Sequence, residues 1–150
     1  MKKSWIIGGA VIIVAGCFAI GMMIWRQGNE DAPRGLRYGA ATGLMLGAVL
    51  TLITAGILGS GELAANSHWV GGVRSDAGGL FLVGWSRTGG DLRVPHFFAT
   101  HIMQGMPILG LLLDRYAPRL VREGLWIGSG LGAAVVAGTF IQAINGIPFL

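Results

Sequence analysis

His96, Thr100 and Gln104 recur at every fourth residue, and His101 stands three residues before Gln104. At about 100° per residue they share one side of a helix, spanning an arc of roughly 140°, with Pro107 one turn further on. Imidazole is a common ligand for metals and haem iron, and an imidazole beside a polar side chain can also hold a quinone. Geometry narrows the choice. His96 and His101 lie five residues apart on one helix, so they cannot take the two axial sides of one haem. A bis-histidine haem needs His68, another protomer or a partner subunit. Three histidines and Cys17 lack the ligand spacing of a closed zinc site, so no metal ligands are assigned. The cofactor-binding candidates are His101, with His96 and Gln104 in support, and the cofactors that fit are haem or quinone.

Other chemistry has little to build on. Gly71-Gly72, Gly78-Gly79 and Gly89-Gly90 lack the lysine and hydroxyl of a phosphate loop, and no dinucleotide fingerprint follows a strand. Ser60, Ser67, Ser75 and Ser86 show no arranged His–carboxylate pair. Glu62, Asp76 and Asp91 have no diagnostic spacing and read as solvated loop charges, with Asp91 paired to Arg87 or Arg93. No catalytic residues are assigned, and the chain is expected to be non-catalytic.

The element that carries His96–Gln104 is one of four. All 18 charged side chains lie outside Trp5–Trp25, Tyr38–Gly59, Val94–Leu113 and Leu125–Ile147. Each stretch is 20 residues or longer, and about 20 helical residues cross a bilayer core of roughly 30 Å. A soluble bundle would carry polar outer faces at helical period, whereas Trp5–Trp25 is apolar or small all round between its terminal indoles. A hydrophobic fraction of 53% with 12% charge points the same way. The expected fold is all-α and polytopic: four transmembrane helices in an antiparallel bundle. They form one domain over 1–150, with spans at about 5–25, 38–59, 94–113 and 125–147 and a long extramembrane loop over 60–93.

The net charge of +4 does not form a basic face with interleaved aromatics, so no nucleic-acid partner is expected. It reads as charge flanking the spans. Trp5, Trp25, Tyr38 and Trp126 fall at span ends, where amphipathic rings suit the headgroup boundary. Arginine density near span ends favours the short loops Arg26–Arg37 and Asp114–Gly124 on the cytoplasmic side, while Lys2-Lys3 argues the reverse. Met1-Lys2-Lys3 before an apolar run also resembles a secretory signal, and Val14-Ala15-Gly16-Cys17 resembles a lipoprotein cleavage box. Phe18–Trp25 stays apolar where a mature lipoprotein turns polar, so an uncleaved first span is expected. The basic leader and compact loops suggest a bacterial inner membrane. Within the long loop, Gly78–Trp85 is apolar but too short to span; it reads as an interfacial or re-entrant segment or as the loop's own small core.

Small residues supply the means of packing, since apolar side chains gain little by exchanging lipid tails for one another. Gly39, Gly43, Gly47, Thr51, Ala55 and Gly59 recur every four residues on the second span. Gly130, Ala134 and Gly138 repeat the device on the fourth, leading to Gln142, and Gly128 and Gly132 add a further pair. Polar groups in a bilayer usually face protein or water. The His96–Gln104 face is therefore expected to point inward, toward Gln142 and Asn145 or toward Thr51 and Thr54. Three functions fit these residues: a subunit that assembles with itself or a larger membrane complex, a haem- or quinone-binding redox protein using His101, and a small transporter or channel lined by the His96–Gln104 face.

Overall fold

Backbone amides in an apolar run of this length have only each other as partners inside a bilayer, which makes helix the economical solution. The computed structural model describes residues 2–64 and 67–150, with side chains described from Gly8 onward, so the expectation for Trp5 lies outside the described residues. Four helices carry the chain: α1 (Lys2–Gln27), α2 (Arg34–Ser60), α3 (Arg93–Tyr116) and α4 (Val121–Ile144). All four are long and apolar enough to cross a membrane. Helix accounts for about 70% of the chain, with no sheet-rich fold.

The helices do not stop where the charge-free runs stop, and the reasons are local. α2 starts at Arg34, four residues ahead of Tyr38, because a remote carboxylate receives its first amides. The Gly35 and Leu36 N–H groups donate to Asp114 Oδ1 and Oδ2 at 2.7 and 2.8 Å. Asp114 thus does from the end of α3 what an N-cap side chain does locally, worth about 1 kcal/mol with a favourable helix dipole. At the other end of α2, Gly61 adopts a left-handed conformation (φ 72°) and ends the helix. α4 ends at Ile144, earlier than Ile147, because Gly146 turns left-handed (φ 70°) and Pro148 follows.

α2 and α3 make the closest contact. A Cβ on Gly39 would stand against the Met106 carbonyl and 3.2 Å from Pro107 Cα. One on Gly43 would lie 2.9 Å from Met106 Cβ, and one on Gly47 2.6 Å from Met103 Cγ. At the crossing, Gly35 and Gly110 each put a would-be Cβ on the other's carbonyl oxygen. As residue number rises along α2 it falls along α3, and the series ends with Thr54 at His96. The line then diverges: Thr51 is buried, Ala55 is half-buried, and Gly59 has nothing within 4 Å. α3 runs unbroken through Pro107.

α4 packs mainly on α3 and also touches α2, with Gly128 against Leu109 and Gly132 against Ile102. The other small-residue line of α4 faces away: Gly130 and Gly138 meet nothing within 4 Å and Ala134 is exposed. Ala99, Ile102, Met106, Leu125 and Val136 form the shared core. α1 packs almost wholly on α2, where Gly21 approaches the Ala41 carbonyl and Met45. Only 6% of its apolar window is buried.

The segment between α2 and α3 sits over the ends of α2, α3 and α4. A short antiparallel pairing, β1 (Trp69–Val70) with β2 (Gly90–Asp91), closes it, and Gly90 lies against the Ala143 carbonyl. Ala64, Leu92 and Ala143 form its core. Of the apolar run Gly78–Trp85, only Trp85 turns in, edge-on to Phe97 and Phe149 at 5.2 and 5.4 Å between centroids. Phe81 and Leu82 stand out at the tip, 90% and 89% exposed.

Candidate functional site

The polar arc of α3 is divided between two surroundings. His96, at its N-terminal edge, reaches α2, where its Nδ1 lies 3.1 Å from Thr54 Oγ1. The Thr54 hydroxyl proton is directed at the Leu50 carbonyl, 2.9 Å away. Its oxygen is then the acceptor, which assigns the ring proton to Nδ1 and leaves Nε2 as the acceptor of His96. Thr51 Oγ1, one turn earlier, is buried without a hydrogen-bond partner among the described residues.

His101 and Gln104 do not follow His96 inward. Both are exposed, on the side of α3 that also carries Ile108, Leu111 and Leu112. The inward expectation therefore fails for these two residues, and the cause is steric. The glycine line of α2 admits the side of α3 that presents Ala99, Ile102, Met106 and Gly110. Gln104 lies roughly opposite that side at about 100° per residue, so only the edge of the polar arc can touch α2. Among the described residues, Gln142 and Asn145 make no hydrogen bond to the polar arc of α3 either. Gln142 Nε2 donates to the Pro148 carbonyl at 2.7 Å and Asn145 Nδ2 to the Ile141 carbonyl at 2.7 Å, both near the chain's own C-terminal turn.

The His101 ring stacks on Phe97, with centroids 3.9 Å apart and planes 28° apart. Its Nδ1 lies 2.7 Å from the Phe97 carbonyl. A carbonyl can only accept, so Nδ1 carries a proton, and in the neutral ring the lone pair lies on Nε2. Metal-binding histidines are often oriented by such a bond from the other ring nitrogen. Among the described residues no three His, Cys, Asp or Glu side chains are grouped to hold a metal ion.

A second polar constellation, which spacing did not reveal as a unit, lies at the entrance of α3. The Asp91 carboxylate is fully buried. It accepts from the Ser86 N–H at 3.0 Å, the Arg93 N–H at 3.0 Å and Arg93 Nη2 at 2.7 Å. The same guanidinium reaches Asp76 Oδ1 at 2.7 Å and the Gly84 carbonyl at 2.9 Å, while His68 Nε2 lies 3.3 Å from Asp76 Oδ1. Arg93 is thus a clasp that binds three points of the 60–93 loop to the first turn of α3. No hydroxyl nucleophile stands beside His68 in this set, and its donors are consumed within the loop. The sequence offered Arg87 or Arg93 as the partner of Asp91; Arg93 takes the position because its backbone N–H and side chain both reach the same carboxylate.

The Arg93 hydrogen bond holds the Asp76 carboxyl below its ordinary value of 3.8, with His68 adding to the effect. A depressed carboxylate stabilises the fold above its ordinary pKa and ceases to do so as pH falls through the lower folded value. The clasp is expected to stay shut from neutral pH down to about 4 and to loosen below that. Hydrogen exchange of residues 69–91 between pH 7 and pH 3 reads this directly, and Asp76→Asn should abolish the acid-dependent step. A loop equally protected across that range in the wild type would rule the clasp out.

No protein-family model matches this chain, and comparisons with curated proteins and with solved structures find no match either.

Proposed function

We propose that this chain is a non-catalytic integral membrane subunit, an antiparallel four-helix bundle that assembles with itself or with a larger membrane complex. The outward position of Gln104 carries this reading. α3 has 24 residues, and Gln104 stands at its midpoint, about 17 Å along from Arg93 at 1.5 Å per residue. A carboxamide at that depth facing acyl chains leaves its donors and acceptor unmatched, whereas a neighbouring protein can satisfy them. His101, one turn away on the same exposed side, doubles the demand. The open line Gly130, Ala134 and Gly138 on α4 and the thinly covered α1 offer further surface for helix contact. Within the chain, the α2 line Gly39–Gly47 acts as a glycine zipper toward α3. The basic leader and compact loops suit a bacterial inner membrane.

Particle mass in lipid nanodiscs loaded from native membranes tests the reading. The wild type should appear in particles holding more than one 15.7 kDa chain, or one chain with another protein. Joint Gln104→Leu and His101→Leu substitution should release it as a single chain, with about 1–2 kcal/mol of association lost. A wild-type chain that is already alone would sink the proposal.

One observation favours a second reading, a haem- or quinone-binding redox protein. With Nδ1 held by the Phe97 carbonyl, the neutral His101 ring turns its Nε2 lone pair to the exposed side of α3. Across an oligomer contact, two such nitrogens from different chains could take both sides of one haem, which His96 and His101 of one chain cannot. A Soret band or co-purifying quinone that disappears in His101→Ala would establish it; wild type carrying neither would end it.

A further inference from the structure

At the end of the molecule opposite the Arg93 clasp, the helices leave a cleft. α1 packs on α2 and makes no comparable contact with α4, so a space of about 800 Å³ opens between them. Its depth is apolar, with Met22 of α1, Met45 of α2 and Leu125 of α4 among its walls. Trp25 and Trp126 line it from opposite sides, and both stand at span ends, the level at which indoles meet headgroups. Above them the mouth changes character: Arg34, Arg119 and Arg122 line it, all exposed. Among the described residues, none of the three makes an ion pair or a side-chain hydrogen bond. Two carboxylates share the rim. Asp114 is committed to the Gly35 and Leu36 amides, and Glu123 is exposed and left to offset one arginine.

We propose that this cleft is a binding site for one anionic phospholipid, its phosphate held by Arg34, Arg119 and Arg122 and an acyl chain lying along Met22, Met45 and Leu125. Charge at the mouth gives way to apolar walls toward the floor. Guanidinium groups match phosphate oxygens in a bidentate fork, and basic pockets between membrane helices suit anionic headgroups. A volume of about 800 Å³ falls within the range of small-ligand sites. A helix from another protein would fill the apolar depth but bury three arginines with Glu123 to offset only one of them. A soluble anion would satisfy the arginines and leave the apolar walls unused. Only an amphiphile with an anionic head answers both halves. The site lies away from the exposed side of α3 and does not depend on assembly.

The test uses the tryptophans already in place. The full chain is reconstituted in phosphatidylcholine vesicles containing equal minor fractions of either brominated phosphatidylglycerol or brominated phosphatidylcholine, and tryptophan quenching is compared. Brominated phosphatidylglycerol should quench more strongly, with preference falling about fivefold for each arginine removed. Arg119→Gln with Arg122→Gln should erase most of the excess. Trp126→Phe should reduce it while leaving lipid preference intact by direct lipid analysis. Arg87→Gln, in the loop at the other end, should change neither. Equal quenching by the two lipids overturns the proposal, as does an excess that survives loss of both arginines. Displacement of the excess by inorganic phosphate at ordinary buffer concentrations also overturns it, by making the site one for soluble anions.

Discussion

Gly110→Ala is expected to destabilise the fold by about 3 kcal/mol, whereas the same change at Gly56 should be neutral or stabilising by up to about 1 kcal/mol. Both are helical glycines replaced by the best helix former, so propensity alone makes both changes favourable. They differ in what the new methyl meets. At Gly56 it finds nothing within 4 Å, while at Gly110 it falls on the Gly35 carbonyl oxygen. Backbone cannot swing aside as a flexible side chain can, so α2 and α3 have to separate. That separation reaches further than one contact. It pulls Asp114, four residues on, from the Gly35 and Leu36 amides it caps, and it opens the Gly39–Met106 approach one turn away. Unfolding midpoints in a fixed detergent micelle compare the two variants directly. Equal stability of Gly110→Ala and Gly56→Ala would mean that α2 and α3 are not in backbone contact at this point.

Removing the buried carboxylate at the other end should have an effect of similar size. Asp91→Ala is expected to cost about 3 kcal/mol, near the lower end of what breaking a buried ion pair costs. Arg93 keeps Asp76 and the Gly84 carbonyl, and its side chain is 28% exposed, so water recovers part of the loss. The Ser86 and Arg93 amides fare worse, since both lose their acceptor and Ser86 is buried. Asp91→Asn keeps an acceptor oxygen and should cost less than half as much. The informative readout is proteolysis or hydrogen exchange of the 60–93 loop, because the damage should concentrate there before α1 or α2 is affected. An Asp91→Ala loop as protected as wild type would show that Arg93 and Asp76 alone hold it.

How much of this was legible in the residues depends on the range of the interaction. The four spans were readable because a bilayer filters composition over 20 residues at a time, and no Asp, Glu, Lys or Arg interrupts those runs. The approach of Gly39, Gly43 and Gly47 to α3 follows from a single-helix period. The rotation of α3 about its own axis does not. The polar arc suggested that His101 and Gln104 face inward, but the contact is set by which side of α3 offers small or yielding groups to the α2 glycines. Ala99 and Gly110 carried that signal, and a polarity count gave it no weight. Asp114 was invisible for a different reason: it binds backbone amides, which no side-chain pattern records. For Asp91 the pairing with Arg87 or Arg93 was readable, but not its burial or its bond to the Ser86 amide. Asp114 serves residues 78 and 79 positions away. Arg34, Arg119 and Arg122 read as ordinary flanking charge until two loops distant in sequence came together at one mouth.

We propose that the exposed side of α3 meets protein. A photo-crosslinking amino acid placed at Ile108, one turn beyond Gln104 and 57% exposed, tests it in native membranes. The expected result is an adduct heavier than the 15.7 kDa chain, either a second copy or another membrane protein, and lost when Gln104 is also replaced by leucine. Adducts with lipid alone would contradict the claim and leave α3 facing the bilayer.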